Sequence, residues 1–160
     1  MSKINVLFVC LGNICRSPLA EAIFKAKVKE RGLENDIHTD SCGTSNYHIG
    51  GAPDSRTIAN ALTNGVTIDH AGRQLTVDDL DDFDYILAMD ASNHTNIFKL
   101  PNAGIHGHKI HMMRFFDTEN GDVPDPYYGT AADFQQVFDI LNRSTGRFLD
   151  HLKKEHNLRG

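Results

Sequence analysis

The sequence has no apolar run long enough to cross a membrane. Its longest, residues 6–11, falls far short of the roughly 18 residues a spanning helix needs, and it lacks the flanks of a signal peptide. A cytoplasmic protein with no membrane partner is therefore expected. An excess of basic residues is also missing. Sixteen Lys and Arg against 21 Asp and Glu leave a net charge of −5, and no basic cluster offers a footprint for nucleic acid. Cysteine is scarce and odd in number: Cys10, Cys15 and Cys42 cannot make a complete disulfide framework and suit a reducing compartment. Their interest is chemical. Repeats, linkers and low-complexity tracts are absent. What remains is 160 residues, 40% of them hydrophobic, the size and composition of one globular domain covering residues 1–160.

The pattern along the chain alternates strands with helices. Ile4, Val6, Leu7, Phe8 and Val9 form the nearly continuous apolar run of a parallel strand buried on both faces. A short loop follows, then Ser17 and Pro18 as a natural N-cap and first helical residue, and Leu19, Ala22, Ile23 and Ala26 at helical spacing up to Gly32. Further strands are expected at 37–41, 85–89 and 109–113. Asp54 is placed to cap a short helix ending at Asn64 and Gly65, and another short helix is expected at 91–100. The acidic run 78–84 reads as a solvated helix or turn. Thr130 opens the clearest helix, in which Phe134, Val137, Phe138, Leu141, Thr145, Phe148, Leu149 and Leu152 share one face. Such alternation argues for an α/β fold with a parallel sheet. Ligands of these folds sit at the carboxyl ends of the strands, where Cys10, Asp90 and the loop 122–125 would meet.

The loop after the first strand carries the chemistry. Cys10 and Arg16 enclose five residues, a spacing that can wrap one tetrahedral oxyanion. Successive backbone N–H groups opening a helix make an anion-binding nest, aided by the helix dipole. Gly12 and Asn13 both tolerate the left-handed backbone that a curled loop requires, and Arg16 can add a forked pair of hydrogen bonds to two phosphate oxygens. The same field favours the thiolate of Cys10, the nucleophilic form. The spacing alone is weak evidence, since three Cys and eight Arg in this chain give roughly 0.15 such pairs by chance. Its place at a strand-to-helix junction is what gives it weight. A proton donor for the leaving oxygen is also needed, and Asp117, Asp122 and Asp125 all lie in one loop that could supply it.

Residues 9–21, Val-Cys-Leu-Gly-Asn-Ile-Cys-Arg-Ser-Pro-Leu-Ala-Glu, closely resemble the low-molecular-weight protein tyrosine phosphatases. The likeness continues in Asp40-Ser41, in 70–74, in 83–93 and in Pro124-Asp125-Pro126-Tyr127-Tyr128-Gly129, so that it spans essentially the whole chain. It implies a single domain with a four-stranded parallel sheet in the order 2-1-3-4 and helices on both faces. It further implies catalysis by Cys10, Arg16 and Asp125, with phosphate held by the loop residues Leu11, Gly12, Asn13, Ile14, Cys15 and Arg16 and by Ser17. By the same resemblance Ser17 stabilises the Cys10 thiolate, Asn13, Ser41 and His70 hold the loop in shape, and Asp90 supports Arg16. Tyr47 flanks the substrate ring opposite Tyr127 and Tyr128, a slot in which phosphotyrosine can stack but phosphoserine cannot reach. Cys15 would form a protective disulfide with an oxidised Cys10.

The expected reaction is hydrolysis of phosphotyrosine in a protein substrate, and of simple aryl phosphates, through a cysteinyl phosphate, releasing phosphate ion. No cofactor or metal is expected. His106, His108 and His111 invite a metal reading, yet no Cys or carboxylate accompanies them at a familiar ligand spacing. The fold's thioredoxin-coupled arsenate reductases share the Cys-x5-Arg loop but add downstream redox cysteines, and no cysteine follows Cys42 here. Related phosphatases act on phosphoarginine and tend to carry Thr where this chain has Ile14, which favours the phosphotyrosine reading.

Overall fold

The computed structural model describes residues 3–159. Strand β1 (Ile4–Cys10) leads to helix α1 (Arg16–Glu30), followed by β2 (Ile37–Gly43), α2 (Ser55–Thr63), α3 (Val77–Asp82), β3 (Tyr85–Ala88) and α4 (Ala91–Ile97). A 3-10 helix, Ala103–Lys109, precedes β4 (Ile110–Met112); a second, Met113–Phe116, follows it, and α5 (Ala131–Glu155) closes the chain. The four strands form one sheet in the order β2-β1-β3-β4. Every pair is parallel, with Ile4 opposite Ile37, Val6 opposite Tyr85, and Ile86 opposite Ile110.

The continuous apolar run of β1 is explained by burial on both faces. Side chains alternate across a strand, so Val6, Phe8 and Cys10 join α1 and α5 in one core, while Leu7 and Val9 join residues of α3 and α4 in the other. On the first face Phe24 packs between Phe8 and Phe148, with ring centroids 5.6 and 5.4 Å apart. Burying each such ring stabilises the fold by about 1.5–3 kcal/mol. All eight residues assigned to the inner face of the last helix are buried. The Asp133 carboxylate accepts from the Thr130 N–H at 2.7 Å, closing a capping box at the start of that helix. Among the described residues, no helix is long and apolar enough to cross a membrane.

Several elements depart from the sequence pattern. Helix α1 begins at Arg16 rather than Pro18, so Ser17 is an interior residue and not the N-cap. Proline is compatible with this first turn, where the N–H groups have no helical partner. At the other end Gly32, at φ 68°, donates to Lys29 O while Leu33 donates to Val28 O, which is why the helix stops. The acidic run is not wholly solvated: Asp79 is buried, facing the Arg73 guanidinium through both carboxylate oxygens at 3.0 Å. Helix α4 ends at Ile97, short of Leu100, and the two 3-10 helices carry no periodicity long enough to read.

Candidate active site

The carboxyl ends of β1 and β3 lie side by side where the strand order reverses, and the loop 11–15 fills that crevice. Its curl depends on Asn13 at φ 57°, a left-handed conformation that asparagine visits more readily than most residues. The loop carbonyls are pulled outward: Cys10 O accepts from Thr44 N at 2.9 Å, Leu11 O from Ser45 N at 3.0 Å and Ile14 O from Asp54 N at 2.8 Å. Among the described residues, no backbone carbonyl accepts from the N–H groups of residues 12–16. The result is a set of unpaired donors opening a helix, a cradle for an oxyanion. Gly43 permits it, because a Cβ there would lie 2.7 Å from Leu11 O.

Beneath the loop is a buried polar network. Ser17 Oγ lies 3.0 Å from Cys10 Sγ and accepts from Asn13 Nδ2 at 2.8 Å. Asn13 Nδ2 also donates to Ser41 Oγ at 3.1 Å, while Asn13 Oδ1 accepts from His70 Nε2 at 2.6 Å and from Arg73 N at 3.1 Å. Ser41 donates on to Glu21 Oε1 at 2.6 Å, and the same oxygen lies 3.2 Å from His70 Nδ1. Asn13, Ser17, Ser41 and Glu21 are all buried. Four hydrogen bonds thus converge on one asparagine side chain and fix the loop from behind. Glu21, Asp40 and His70 are grouped closely enough to hold a cation, but their ligand atoms are already engaged with Ser41 and with one another. His106 instead faces Asp81 at 3.1 Å, and His111 stacks on Phe115.

Arg16 is only 3% exposed and is oriented before any anion arrives. Its Nη1 donates to Asp90 Oδ2 at 2.6 Å and to Val123 O at 2.9 Å, and its Nη2 lies 3.7 Å from Asp125 Oδ2. Burial works against its charge, but Cys10, Asp90 and Asp125 outweigh that and raise its pKa above the ordinary value. Asp90 has two tasks at once: its other oxygen accepts from Asn93 N at 2.7 Å and caps α4. Burial pushes the Cys15 thiol up to about 12, against a smaller opposing effect of the Thr57 hydroxyl.

A cavity of about 290 Å³ opens above the loop. It is lined by Cys10, Leu11, Gly12, Ile14, Cys15 and Arg16, by Asp125, and by the tyrosines Tyr47, Tyr127 and Tyr128. Asn13, Ser17, Ser41, His70 and Asp90 are not in its wall; their side chains support it. The tyrosines differ in how firmly they are held, Tyr128 being 97% exposed while Tyr127 packs against the Arg56 guanidinium 5.4 Å from its ring centroid. Arg56 is itself held by Asp54 through Nε at 3.0 Å and Nη2 at 2.9 Å.

Four residues here were not singled out from the sequence. His48 lines the cavity over Gly12, Glu21 and Arg73 complete the network under the loop, and Arg56 braces Tyr127. Glu21 and Arg73 lie inside quoted stretches of the resemblance, and their only other signal was a charge in an otherwise apolar or turn setting. His48 and Arg56 had none.

A family model described as low molecular weight phosphotyrosine protein phosphatase matches residues 5–158. A low molecular weight phosphotyrosine protein phosphatase of Saccharomyces cerevisiae is 43% identical over 158 residues, covering 96% of each chain. The crystal structure of a protein tyrosine phosphatase from Entamoeba histolytica superposes with a TM-score of 0.91 at 38% identity, covering 98% of this chain and 100% of that one. An arginine phosphatase from Drosophila superposes with a TM-score of 0.84 at 35% identity, covering 92% and 97%.

Proposed function

Because the chain belongs to the low molecular weight phosphotyrosine protein phosphatase family, we propose that it hydrolyses phosphotyrosine through a cysteinyl phosphate, with Cys10 as nucleophile and Asp125 as acid and then base. The whole chain, residues 1–160, acts as one catalytic domain. Its substrate is a phosphoprotein and its product includes phosphate ion. The observation that carries this reading is the meeting of Cys10, Arg16 and Asp125 on one tyrosine-walled cavity.

The chemistry runs in two displacements. The Cys10 thiolate attacks phosphorus in line, while the N–H groups of the loop and the Arg16 fork hold the equatorial oxygens. The S–P bond forms, the P–O bond to the ring breaks, and the proton of the Asp125 carboxyl passes to the departing phenolate. Water then attacks the cysteinyl phosphate. Asp125, now a carboxylate, accepts its proton, the S–P bond breaks, and the thiolate returns to the Ser17 hydroxyl that faces it. Thiolate, guanidinium and carboxyl supply every charge these steps need, without a metal.

Tyr47 and Tyr127 give an aryl substrate faces to stack against, worth about 0.5–1.5 kcal/mol each. The Drosophila relative is an arginine phosphatase, which makes phosphoarginine the second substrate to assay. Ile14, in the cavity wall, offers that more polar side chain no hydrogen bond and favours an aromatic ring.

The test is turnover of a phosphotyrosine peptide and a simple aryl phosphate in EDTA, with phosphoarginine beside them. The parent is expected to hydrolyse both aryl substrates, Cys10→Ser to be inactive, and Asp125→Ala to be slowed by about 10² or more. A reduced parent that binds phosphate but turns over neither aryl substrate would overturn the proposal.

A further inference from the structure

Asp117 opens the irregular loop that follows the second 3-10 helix, yet its side chain has no solvent exposure. A buried carboxylate in a polar loop is costly unless it is fully paired. Here it is. Asp117 Oδ1 accepts from Arg143 Nε at 2.6 Å and from Thr118 N at 2.7 Å, and Oδ2 accepts from Arg143 Nη2 at 2.9 Å and from Arg114 Nε at 3.1 Å. Arg143 belongs to α5, so Asp117 fastens the root of the loop to the longest helix of the fold.

Arg114 carries that anchorage further. Beyond its contact with Asp117, its Nη1 donates to Asp122 O at 3.2 Å and its Nη2 to Glu119 Oε2 at 3.3 Å. One planar guanidinium therefore grips the loop at positions 117, 119 and 122 with three separate nitrogens, which a lysine ammonium on its flexible stem cannot reproduce. From residue 122 the chain is stitched into the catalytic crevice: Asp122 Oδ1 accepts from Ala91 N at 3.0 Å, Val123 N donates to Met89 O at 2.7 Å, and Val123 O accepts from Arg16 Nη1 at 2.9 Å. Asp125 stands between Pro124 and Pro126 just beyond. Among the described residues, its own carboxylate has the Tyr127 N–H at 3.1 Å and the more distant Arg16 as partners.

We infer that Arg114, held by Asp117 and Arg143, is a positioning residue that sets the place of the Asp125 carboxyl over the leaving oxygen. This rests on Asp125 being the general acid. The contacts of Arg114 run from α5 through Asp117 to the Asp122 carbonyl, where they meet the bonds of Asp122 and Val123 to the crevice, three and two residues before the acid. Without the grip at 122, residues 117–122 lose their fixed path, the bonds of Asp122 to Ala91 and of Val123 to Met89 and Arg16 must carry the loop without it, and Asp125 spends a smaller share of its time within proton-transfer reach of the phenolate oxygen.

The measurement is kcat/KM for a series of aryl phosphates whose phenols differ in acidity, from 4-nitrophenyl phosphate to phenyl phosphate, with the parent, Arg114→Ala, Arg114→Lys and Asp125→Ala. Poor leaving groups need the proton most. Arg114→Ala should lose about tenfold more on phenyl phosphate than on 4-nitrophenyl phosphate, in the direction of Asp125→Ala but smaller, because misplacement removes part of what deletion removes. Arg114→Lys should fall between parent and Arg114→Ala, and it decides the question if the alanine variant does not fold. A loss equal across all phenols, or none, while Asp125→Ala still shows the graded loss, overturns the role of Arg114 alone. If Asp125→Ala itself shows no dependence on the phenol, the assignment of the acid falls and this inference with it.

Discussion

Replacing Asn13 tests whether the phosphate loop is shaped by its buried network. The side chain makes four hydrogen bonds and is 1% exposed, on a backbone at φ 57°. Ser17 and Ser41 keep other partners when it is removed. Among the described residues, the Arg73 N–H loses its partner, and His70 Nε2 keeps the longer contact with Ser41 at 3.3 Å. At about 1–3 kcal/mol for each buried group left unsatisfied, Asn13→Gly should cost about 2–4 kcal/mol. Asn13→Ala adds about 1 kcal/mol more for a Cβ in the left-handed region. For a chain of this size the alanine variant should melt about 6–20 °C lower. Activity should fall with stability, because Ser17 loses the donor that orients it toward Cys10 and the loop N–H groups lose their common focus. Urea and thermal unfolding of both variants, with kcat/KM on an aryl phosphate, give the comparison. An Asn13→Gly enzyme as stable and as active as the parent would refute the idea that this network, rather than the turn itself, holds the cradle.

Two further outcomes follow from the ionisable groups. Burial pushes the Asp117 carboxyl up, but Arg143, the Thr118 N–H and Arg114 outweigh it and hold it well below the usual carboxylate range. A depressed pKa in the folded state stabilises fully above the unfolded value of about 3.9 and is lost as pH falls toward the folded one. The stability difference between the parent and Asp117→Asn, from urea midpoints, should therefore be largest near neutral pH and shrink below about pH 4; a difference independent of pH contradicts the pairing. For the cysteines, burial pushes the Cys15 thiol up to about 12, which makes it a poor nucleophile toward peroxide, and under the proposed mechanism Cys10 is the reactive sulfur and is attacked first. Inactivation should reverse with added thiol in the parent and become largely irreversible in Cys15→Ala, whereas equal recovery in both rules out Cys15 as the protecting partner.

The fold was legible in the sequence wherever burial is periodic. The unbroken apolar run of β1 signals a strand covered on both faces, and the inner face of α5 is spaced so regularly that every assigned residue is buried. The strand order was not in that pattern, since nothing local to β1 states that β2 and β3 flank it; only the resemblance implied it. Within the site, Cys10 and Arg16 could be read because one loop delivers both. Asp125 could not be told from Asp117 or Asp122 by the residues alone. In the structure their surroundings differ: the Asp117 side chain is buried between two arginines, Asp122 bonds the start of α4, and Asp125 lines the cavity. Ser17 misled as a cap because serine is common there, and its true partner, Cys10, is seven residues away across the loop. Arg114, Arg56 and His48 were invisible for a similar reason: their partners lie in other elements, and a charged or polar residue in a turn carries no sign of what it faces.

A covalent phosphorus–sulfur intermediate on Cys10 is sought by quenching into alkaline detergent, in which the S–P bond survives, during turnover of an aryl phosphate radiolabelled at phosphorus. Label is expected on the protein, mapped to the peptide that contains Cys10. Discharge of that label should slow in Asp125→Ala, where water lacks its base. Steady turnover by the parent with no label on Cys10 at any quench time, or label on another residue, would contradict it.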